Sequence, residues 1–277
     1  MTGPARGAIH VDGEVLATKR VGAFTHLTIV APGVGERFRP GTFVTVRPDD
    51  RARPAPRPFW VHRVRPVGGH AAALQLVVEP RGAGSRWLAG LPVGARVPIT
   101  GPLGRAFALP KEQVPCLLVG EGYAAAPLFP LAERLRERGC PVSLVLAAPD
   151  EPRLLSALEA RRSARAVTVV TADGSVGVRG AVADVLPDAL ARSEAAVVYA
   201  TGTTATLHAA AAAAEAHGAW SQTAVEQPLA CATGLCHGCP VPVVAENGSP
   251  RSARACYDGP VLRGDRVRWH DLEAGLP

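Results

Sequence analysis

Four of the six cysteines lie near the C-terminal end of the 277-residue chain, at a spacing that could hold a metal centre. In the segment CATGLCHGC the gaps between cysteines are four and two residues, and a further cysteine follows after sixteen more residues. This spacing is typical of the loop that binds a plant-type [2Fe–2S] cluster. Small residues in such a loop let backbone N–H groups approach the sulfides. The predicted cluster ligands are Cys231, Cys236, Cys239 and Cys256.

A structural zinc site is the alternative interpretation of these cysteines. Zinc sites commonly use C-x2-C pairs on both sides, whereas here the first gap is four residues and Cys256 has no cysteine near it in sequence. The spacing therefore favours the cluster. The two remaining cysteines, Cys116 and Cys140, begin an apolar segment and follow Gly139, and we expect them to be small hydrophobic residues of the core.

Three short segments in the first half of the chain could bind a flavin nucleotide. RPFW begins at Arg57, RGAGS at Arg81 and GPLG at Gly101. An arginine offers paired donors to a phosphate, and a Gly-x-Gly-Ser turn that opens a helix exposes N–H groups that suit a pyrophosphate. Each segment alone could be an ordinary edge strand or turn, but their order favours a flavin site. The Gly-rich turn predicts FAD rather than FMN, because it suits a pyrophosphate. The predicted flavin-site residues are Arg57, Pro58, Phe59, Trp60, Gly82, Gly84 and Ser85.

Two further segments are placed to bind a nicotinamide dinucleotide. GEGYAAAP follows one apolar strand, and TGTT ends another. In a parallel sheet both would lie at the carboxyl edge, where such cofactors bind. Both could instead be ordinary strand–helix turns, since neither is a G-x-G-x-x-G fingerprint. The predicted NAD(H) residues are Gly120, Gly122, Thr201, Gly202 and Thr203.

Hydrophobic periodicity divides the chain into three parts that would position these residues. Residues 8–107 read as short alternating strands separated by Gly and Pro, which predicts an antiparallel barrel or sandwich. Four strand–helix repeats follow, which is typical of a doubly wound parallel sheet. The C-terminal part holds the cysteine loop. We therefore predict a multidomain α+β chain: an FAD-binding β-barrel domain (1–108), an NAD-binding-like α/β domain (109–224) and a small [2Fe–2S] lobe (225–277).

Composition and charge exclude several classes of function. The net charge is +6, but the arginines are dispersed and only 5% of residues are aromatic, so we expect no nucleic-acid binding. No stretch approaches the roughly 20 apolar residues of a membrane helix, and the start lacks the apolar core of a secretory signal. We expect a cytoplasmic protein, in which clustered thiols bind metal rather than form disulfides.

The order of the motifs resembles the ferredoxin-reductase superfamily and, within it, the electron-transfer subunit of class 1B dihydroorotate dehydrogenases. Glu226, CATGLCHGC and CYDGPVLRGDRV resemble that family's E…CG.GAC..C and C.DGPVF. GPLGRAF is similar to its GPLGNGF, RPFW to its RPxS, and GEGYAAAPL to its GGGIGVAPL. The resemblance covers the whole chain, and the C-terminal motifs are the most specific.

This resemblance implies an oxidoreductase component of pyrimidine biosynthesis that contains FAD and a [2Fe–2S] cluster. Electrons would pass from NADH to FAD to the cluster and on to a partner flavoprotein, or in reverse, and the two chains would form a hetero-oligomer. The polar residues of the motifs all serve cofactors, so no substrate acid or base is predicted. Two other functions stay open: a self-sufficient NAD(P)H reductase for a small acceptor or carrier, and a cofactor-binding scaffold or regulator without hydride transfer.

Four positions near the expected hydride-transfer face depart from the family pattern. Trp60 replaces a serine, Glu121 a glycine and Tyr123 an aliphatic residue, and Thr201-Gly-Thr replaces Cys-Gly-Pro. Because a carboxylate repels a phosphate, we expect Glu121 to weaken NADH binding.

Overall fold

The N-terminal part of the chain is a closed six-stranded β-barrel. The structure, a computed structural model, describes residues 7–48 and 55–275; the first residues of the segment judged to lack a secretory signal lie outside this range. Two short helices, α1 (Val34–Arg37) and α2 (Ala83–Ala89), pack on the barrel. The strands are β1 (Ile9–Val21), β2 (Phe24–Val30), β3 (Phe43–Val46), β4 (Arg57–Val67), β5 (His70–Val78) and β6 (Arg96–Leu103).

The barrel closes because β6 pairs with both β1 and β3, which completes the antiparallel order β1-β2-β5-β4-β3-β6. Five alternating segments between residues 8 and 107 predict strands, and they correspond to β1–β5. None of them includes β6, whose sequence RVPITGPL contains two prolines. Proline removes a ladder donor and ordinarily argues against a strand with partners on both sides. Barrel closure overrides this local signal, and it decides between the two predicted architectures in favour of the barrel.

The central part is a doubly wound sheet, as predicted from the alternating segments. Strand β7 stands beside β8 on one side and β11 on the other, and β7, β8, β9, β11 and β12 run parallel. In the second of the four predicted repeats, the helix-like segment EPRLLSALEARRS is only partly α-helical: Glu151–Arg153 form a separate single turn, and α4 begins at Ala157. The elements are β7 (Cys116–Glu121), α3 (Leu128–Glu137), β8 (Val142–Ala148), α4 (Ala157–Ser163), β9 (Ala166–Thr171), β10 (Val178–Arg179), α5 (Val182–Ser193), β11 (Val197–Thr201), α6 (Thr204–Ala216) and β12 (Trp220–Ala224).

The C-terminal part is joined to the central sheet. A two-stranded ladder is formed by β13 (Pro240–Val244) and β14 (Pro250–Arg254), and helix α7 (Trp269–Glu273) ends the described chain. Strand β15 (Val261–Arg263) pairs antiparallel with β12. The cysteine loop therefore lies between two elements that the main sheet fixes in place. The predicted fold class is confirmed, while the boundaries 1–108, 109–224 and 225–277 stay predictions.

Two hydrophobic cores stabilise these parts. One fills the barrel, and the other extends from Phe43 and Trp60 at the barrel surface through the central sheet to Cys256 in the C-terminal part. Cys116 and Cys140 are both buried in this second core, and burial raises the pKa of Cys116 to about 12, so that it stays a thiol. Within the described ranges, no helix is long and apolar enough to cross a membrane.

Candidate functional site

A groove between the barrel and the central sheet brings together two of the three predicted flavin segments, RPFW and RGAGS, whereas GPLG does not line it. It encloses about 340 Å³ and is lined by Arg57, Pro58, Phe59, the turn Gly82–Ser85 and Tyr123. The side chain of Arg57 lies directly over the start of α2: a Cβ added to Gly84 would be 2.8 Å from the Arg57 Nε atom. Glycine at this position is therefore what lets the guanidinium lie beside the turn.

The turn itself is held by Ser85. Its hydroxyl accepts a hydrogen bond from the Gly82 N–H (3.0 Å) and donates to the Gly82 carbonyl (3.1 Å). Ser85 thus fixes the backbone at the start of α2, while Gly82 has no heavy atom within 4 Å of an added Cβ. An arginine beside an open glycine turn suits the pyrophosphate of FAD. The residues present therefore fit this cofactor.

A second, smaller cavity of about 60 Å³ shares Tyr123 with the groove, and its lining includes Phe43, Trp60 and Ala255. Glu226, which follows β12, also lines this cavity. The Trp60 indole N–H donates a hydrogen bond to Glu226 Oε1, and the Tyr123 hydroxyl donates to Glu226 Oε2. Two of the departures from the family pattern, Trp60 and Tyr123, are therefore partners of the same carboxyl group.

The environment of this carboxyl group is apolar. Burial raises the pKa of Glu226, against the opposing effect of the hydrogen bonds from Tyr123 and Trp60. Burial likewise raises the pKa of Tyr123, which keeps its hydroxyl protonated as a donor. The guanidinium of Arg81 lies over the Tyr123 ring, 5.1 Å from its centroid. Glu226 belongs to a motif seen in the sequence, but its contacts could not be predicted there. Its partners Trp60 and Tyr123 are 166 and 103 residues away.

The predicted NAD(H) residues meet at the carboxyl edge of the sheet. Gly120 in β7 is the register partner of Thr201 in β11, and Gly122, Gly202 and Thr203 follow these strand ends. The structure differs from the sequence analysis in the role of the acidic residue between them. The carboxylate of Glu121 was expected to face an incoming phosphate, but its Oε2 atom accepts hydrogen bonds from residues at the start of α6.

The four predicted cluster ligands lie in the loop after β12 and just after β14. The Sγ atoms of Cys239 and Cys256 are 3.3 Å apart. Cys231 Sγ accepts hydrogen bonds from the N–H groups of Thr233 (3.4 Å) and Cys236 (3.5 Å). Burial raises the pKa of Cys231, but these hydrogen bonds outweigh burial and lower it to about 5. Burial and the neighbouring Cys239 raise the pKa of Cys256 to about 12.

Two of the predicted ligands, Cys239 and Cys256, lie close enough together to bind one iron of a two-iron cluster. A [2Fe–2S] cluster needs only two ligands on each iron, which the close pair of Cys239 and Cys256 can supply. The Gly238 N–H also donates to Cys236 Sγ (3.4 Å), so backbone donors already point at two of the sulfurs.

Arg254, which holds this loop in place, was not predicted from the sequence. Arg254 Nη1 donates to the Gly234 carbonyl (3.0 Å), and Arg254 Nε donates to Asp258 Oδ2 (3.1 Å). The guanidinium also lies over the ring of Tyr257, 4.5 Å from its centroid. A Cβ on Gly234 would be 2.8 Å from Tyr257 Cβ, so glycine allows the loop to pack there. The signal in the sequence is an arginine and an aspartate that flank Cys256 symmetrically.

Comparison with known proteins identifies the family to which this chain belongs. Residues 226–268 match the family model described as the iron–sulfur cluster binding domain of dihydroorotate dehydrogenase B. A dihydroorotate dehydrogenase B (NAD(+)) electron transfer subunit from Desulforamulus reducens is 30% identical over 261 residues, which are 93% of this chain and 98% of the relative. This chain belongs to that family of electron transfer subunits.

Two further comparisons agree with membership in the electron transfer subunit family. The subunit from Shouchella clausii is 32% identical over 228 residues, covering 81% of this chain and 84% of the relative. A solved structure of an NADH-dependent reduced ferredoxin-NADP oxidoreductase superposes with a TM-score of 0.82 at 27% identity, covering 95% of this chain and 91% of the other. The family domain 226–268 contains Glu226 and all four predicted cluster ligands.

Proposed function

We propose that this chain is the electron-transfer subunit of a dihydroorotate dehydrogenase-like enzyme. It passes electrons between NAD(H), FAD and a [2Fe–2S] cluster, to or from a partner flavoprotein that carries out the substrate chemistry. The observation that carries the proposal is that the groove at Arg57 and the smaller cavity that reaches Ala255, next to Cys256, share Pro58, Phe59 and Tyr123 in their linings. A flavin in the groove and a cluster on the cysteines would be neighbours, as electron transfer between them requires.

The barrel and α2 would hold FAD. Arg57 would pair with a phosphate, and the N–H groups of the turn Gly82–Ser85 would bind the pyrophosphate. Pro58, Phe59 and Trp60 would form the wall beside the ring system, with Tyr123 opposite them across the groove. When bound, FAD supplies the exchange between a two-electron hydride donor and a one-electron carrier.

The C-terminal loop would hold the cluster through Cys231, Cys236, Cys239 and Cys256. Arg254 fixes the loop from outside through Gly234, and Glu226 fixes its start through Trp60. The predicted NAD(H) residues Gly120, Gly122 and Thr201–Thr203 lie on the other side of Tyr123, at the edge of the central sheet. We propose a cytoplasmic location because the four thiols must stay reduced before the cluster is assembled.

An absorbance experiment tests this function. The chain is purified under anaerobic conditions, with and without co-expressed partner, and its spectrum is recorded before and after NADH. We expect flavin and iron–sulfur bands, FAD on acid release, and about two irons and two sulfides per chain. Bleaching by NADH without the partner, together with turnover of a physiological acceptor, would instead favour the self-sufficient reductase. Zinc without sulfide would contradict the proposal.

A further inference from the structure

The crevice at the switch point of the central sheet is filled by a side chain of the protein. The chain passes from β7 to β8 in one direction and later returns to β11 on the other side of β7. In open α/β sheets, ligands bind outside the carboxyl ends of the strands at this point. Glu121 is the last residue of β7, and its side chain reaches across to the residues that follow β11.

One carboxylate oxygen of Glu121 accepts three hydrogen bonds at the start of α6. Its Oε2 atom accepts hydrogen bonds from the Thr203 N–H (3.1 Å), the Thr203 hydroxyl (2.7 Å) and the Thr206 hydroxyl (2.6 Å). The first N–H groups of a helix have no partner within the helix and attract anions. A carboxylate of the chain itself therefore occupies the Thr203 N–H, a donor that an anionic ligand in the crevice would use.

The backbone is built to allow this contact. Gly202, with φ +150°, lies between the two strand ends, and a Cβ there would be 2.9 Å from Glu121 Cβ and 3.2 Å from its Oε2 atom. Any other residue at position 202 would push the carboxylate out of the crevice. The glycine at position 202 thus leaves the space that the side chain of Glu121 uses. The family pattern has a glycine at the position of Glu121.

We propose that Glu121 is an internal occupant of the dinucleotide crevice, which NAD(H) must displace in order to bind. The proposal rests on the proposed function, because it concerns the same NAD(H) site, and it names the residue that sets the affinity of that site. If the crevice is open only part of the time, the apparent dissociation constant equals the intrinsic constant divided by the open fraction. Removing the occupant should then tighten binding without any new contact to the ligand.

The test is calorimetric titration of the purified flavoprotein with NAD+ and with ADP-ribose, neither of which donates a hydride. We expect Glu121→Gly to lower both dissociation constants by about fivefold or more, because an occupant and its negative charge are both removed. Glu121→Gln, which keeps the size of the side chain without its charge, should give a smaller decrease. Glu215→Gln is the matched control, since Glu215 is exposed near the other end of α6.

A second variant separates occupancy from simple charge repulsion. Thr206→Val removes one donor to Glu121 but leaves its charge, so an occupant model predicts tighter ADP-ribose binding, by roughly two- to threefold. Charge repulsion alone predicts no change, and that result would overturn the occupancy. If Glu121→Gly fails to fold, Glu121→Gln and Thr206→Val still decide the question.

Failure of this proposal can be distinguished from failure of the proposed function. Flavin and cluster are read from the absorbance spectrum of each variant before titration, so loss of the function itself would be visible there. Unchanged dissociation constants in all Glu121 and Thr206 variants, with both cofactors present, would overturn the inference alone. Absence of any NAD+ or ADP-ribose binding in Glu121→Gly would overturn it as well, because an opened crevice would then still not be a dinucleotide site.

Discussion

Trp60 and Glu226 join the barrel to the start of the cysteine loop through one hydrogen bond, from the indole N–H to a carboxylate oxygen. The other oxygen of Glu226 accepts from Tyr123 in the central part, so a single buried carboxyl group links all three parts of the chain. These contacts lie between the groove of the predicted flavin site and the predicted cluster. The geometry between the two cofactors should therefore depend on Glu226.

Replacing Glu226 with alanine should destabilise the chain and widen the groove. The indole N–H of Trp60 and the hydroxyl of Tyr123 would lose their partner, at a cost of about 1–3 kcal/mol for each donor left buried. Each kcal/mol lowers the Tm by about 2–4 °C in a chain of roughly this size. Differential scanning calorimetry checks this, with exposed Glu215→Ala as the control. An unchanged Tm in Glu226→Ala would contradict the linking role.

The pH dependence of stability should change when Glu226 becomes glutamine. Because burial raises the pKa of Glu226 in the folded state, the folded chain binds its proton more tightly than the unfolded chain. The resulting contribution to stability is present below the unfolded pKa of about 4.3 and is lost as pH rises through the higher folded value. Urea unfolding at several pH values should show a smaller decline toward neutral pH in Glu226→Gln than in the wild type. Parallel curves of stability against pH for the two proteins would argue against a raised pKa of Glu226 in the folded state.

His62 should make the fold sensitive to acid. Its ring is fully buried between His26 and Phe129, and burial lowers its pKa from 6.5 to about 4. The folded chain therefore binds fewer protons than the unfolded chain between these values, so stability is lost as pH falls from 6.5 toward 4. The loss is up to about 3 kcal/mol from this group. His62→Phe should flatten the acid limb of the stability curve, whereas exposed His217→Ala should leave it as in the wild type.

Gly84 should be required for flavin binding through Arg57. Gly84→Ala would place a methyl group at 2.8 Å from Arg57 Nε and force the guanidinium away from the turn. We expect the dissociation constant of FAD, measured by fluorescence titration of deflavinated protein, to rise about tenfold, as for the loss of one charge-assisted hydrogen bond. Gly90→Ala, at the other end of α2, is the control. Equal affinities in both variants would show that Arg57 does not hold the cofactor.

Substitutions should distinguish the four predicted cluster ligands from the two core cysteines, Cys116 and Cys140, by their effect on the cluster. Serine at Cys231, Cys236, Cys239 or Cys256 should remove or destabilise the cluster and leave FAD bound, because the groove at Arg57 is formed by other elements. Cys140→Ala should keep the cluster, since Cys140 is buried beside Cys116. Iron, sulfide and flavin analysis of each variant provides the measurement. Loss of the cluster should also expose the cysteine loop, residues 226–239, to limited proteolysis, because metal ligation stabilises this loop.

Local patterns in the sequence were sufficient for most of the elements and for the prediction of a metal site. The alternation of apolar residues in β1–β5 and the four strand–helix repeats depend on neighbours a few positions away, so periodicity alone predicted them. The cysteine spacing is also local for three of the four ligands. Strand β6 was missed because its prolines argue against a strand, and only its pairing with β1 and β3 shows that it closes the barrel.

The contacts that define the site were decided by tertiary structure. Glu121 and Thr203 are 82 residues apart and meet because β7 pairs with β11, and Trp60 and Glu226 are 166 residues apart and meet because the barrel packs against the end of β12. A sequence pattern fixes which face of a strand or helix is apolar, but not which distant polar side chain completes a buried hydrogen bond. Burial makes an unpaired polar group costly, so the packed fold pairs Glu226 and Glu121 with partners that no local spacing reveals.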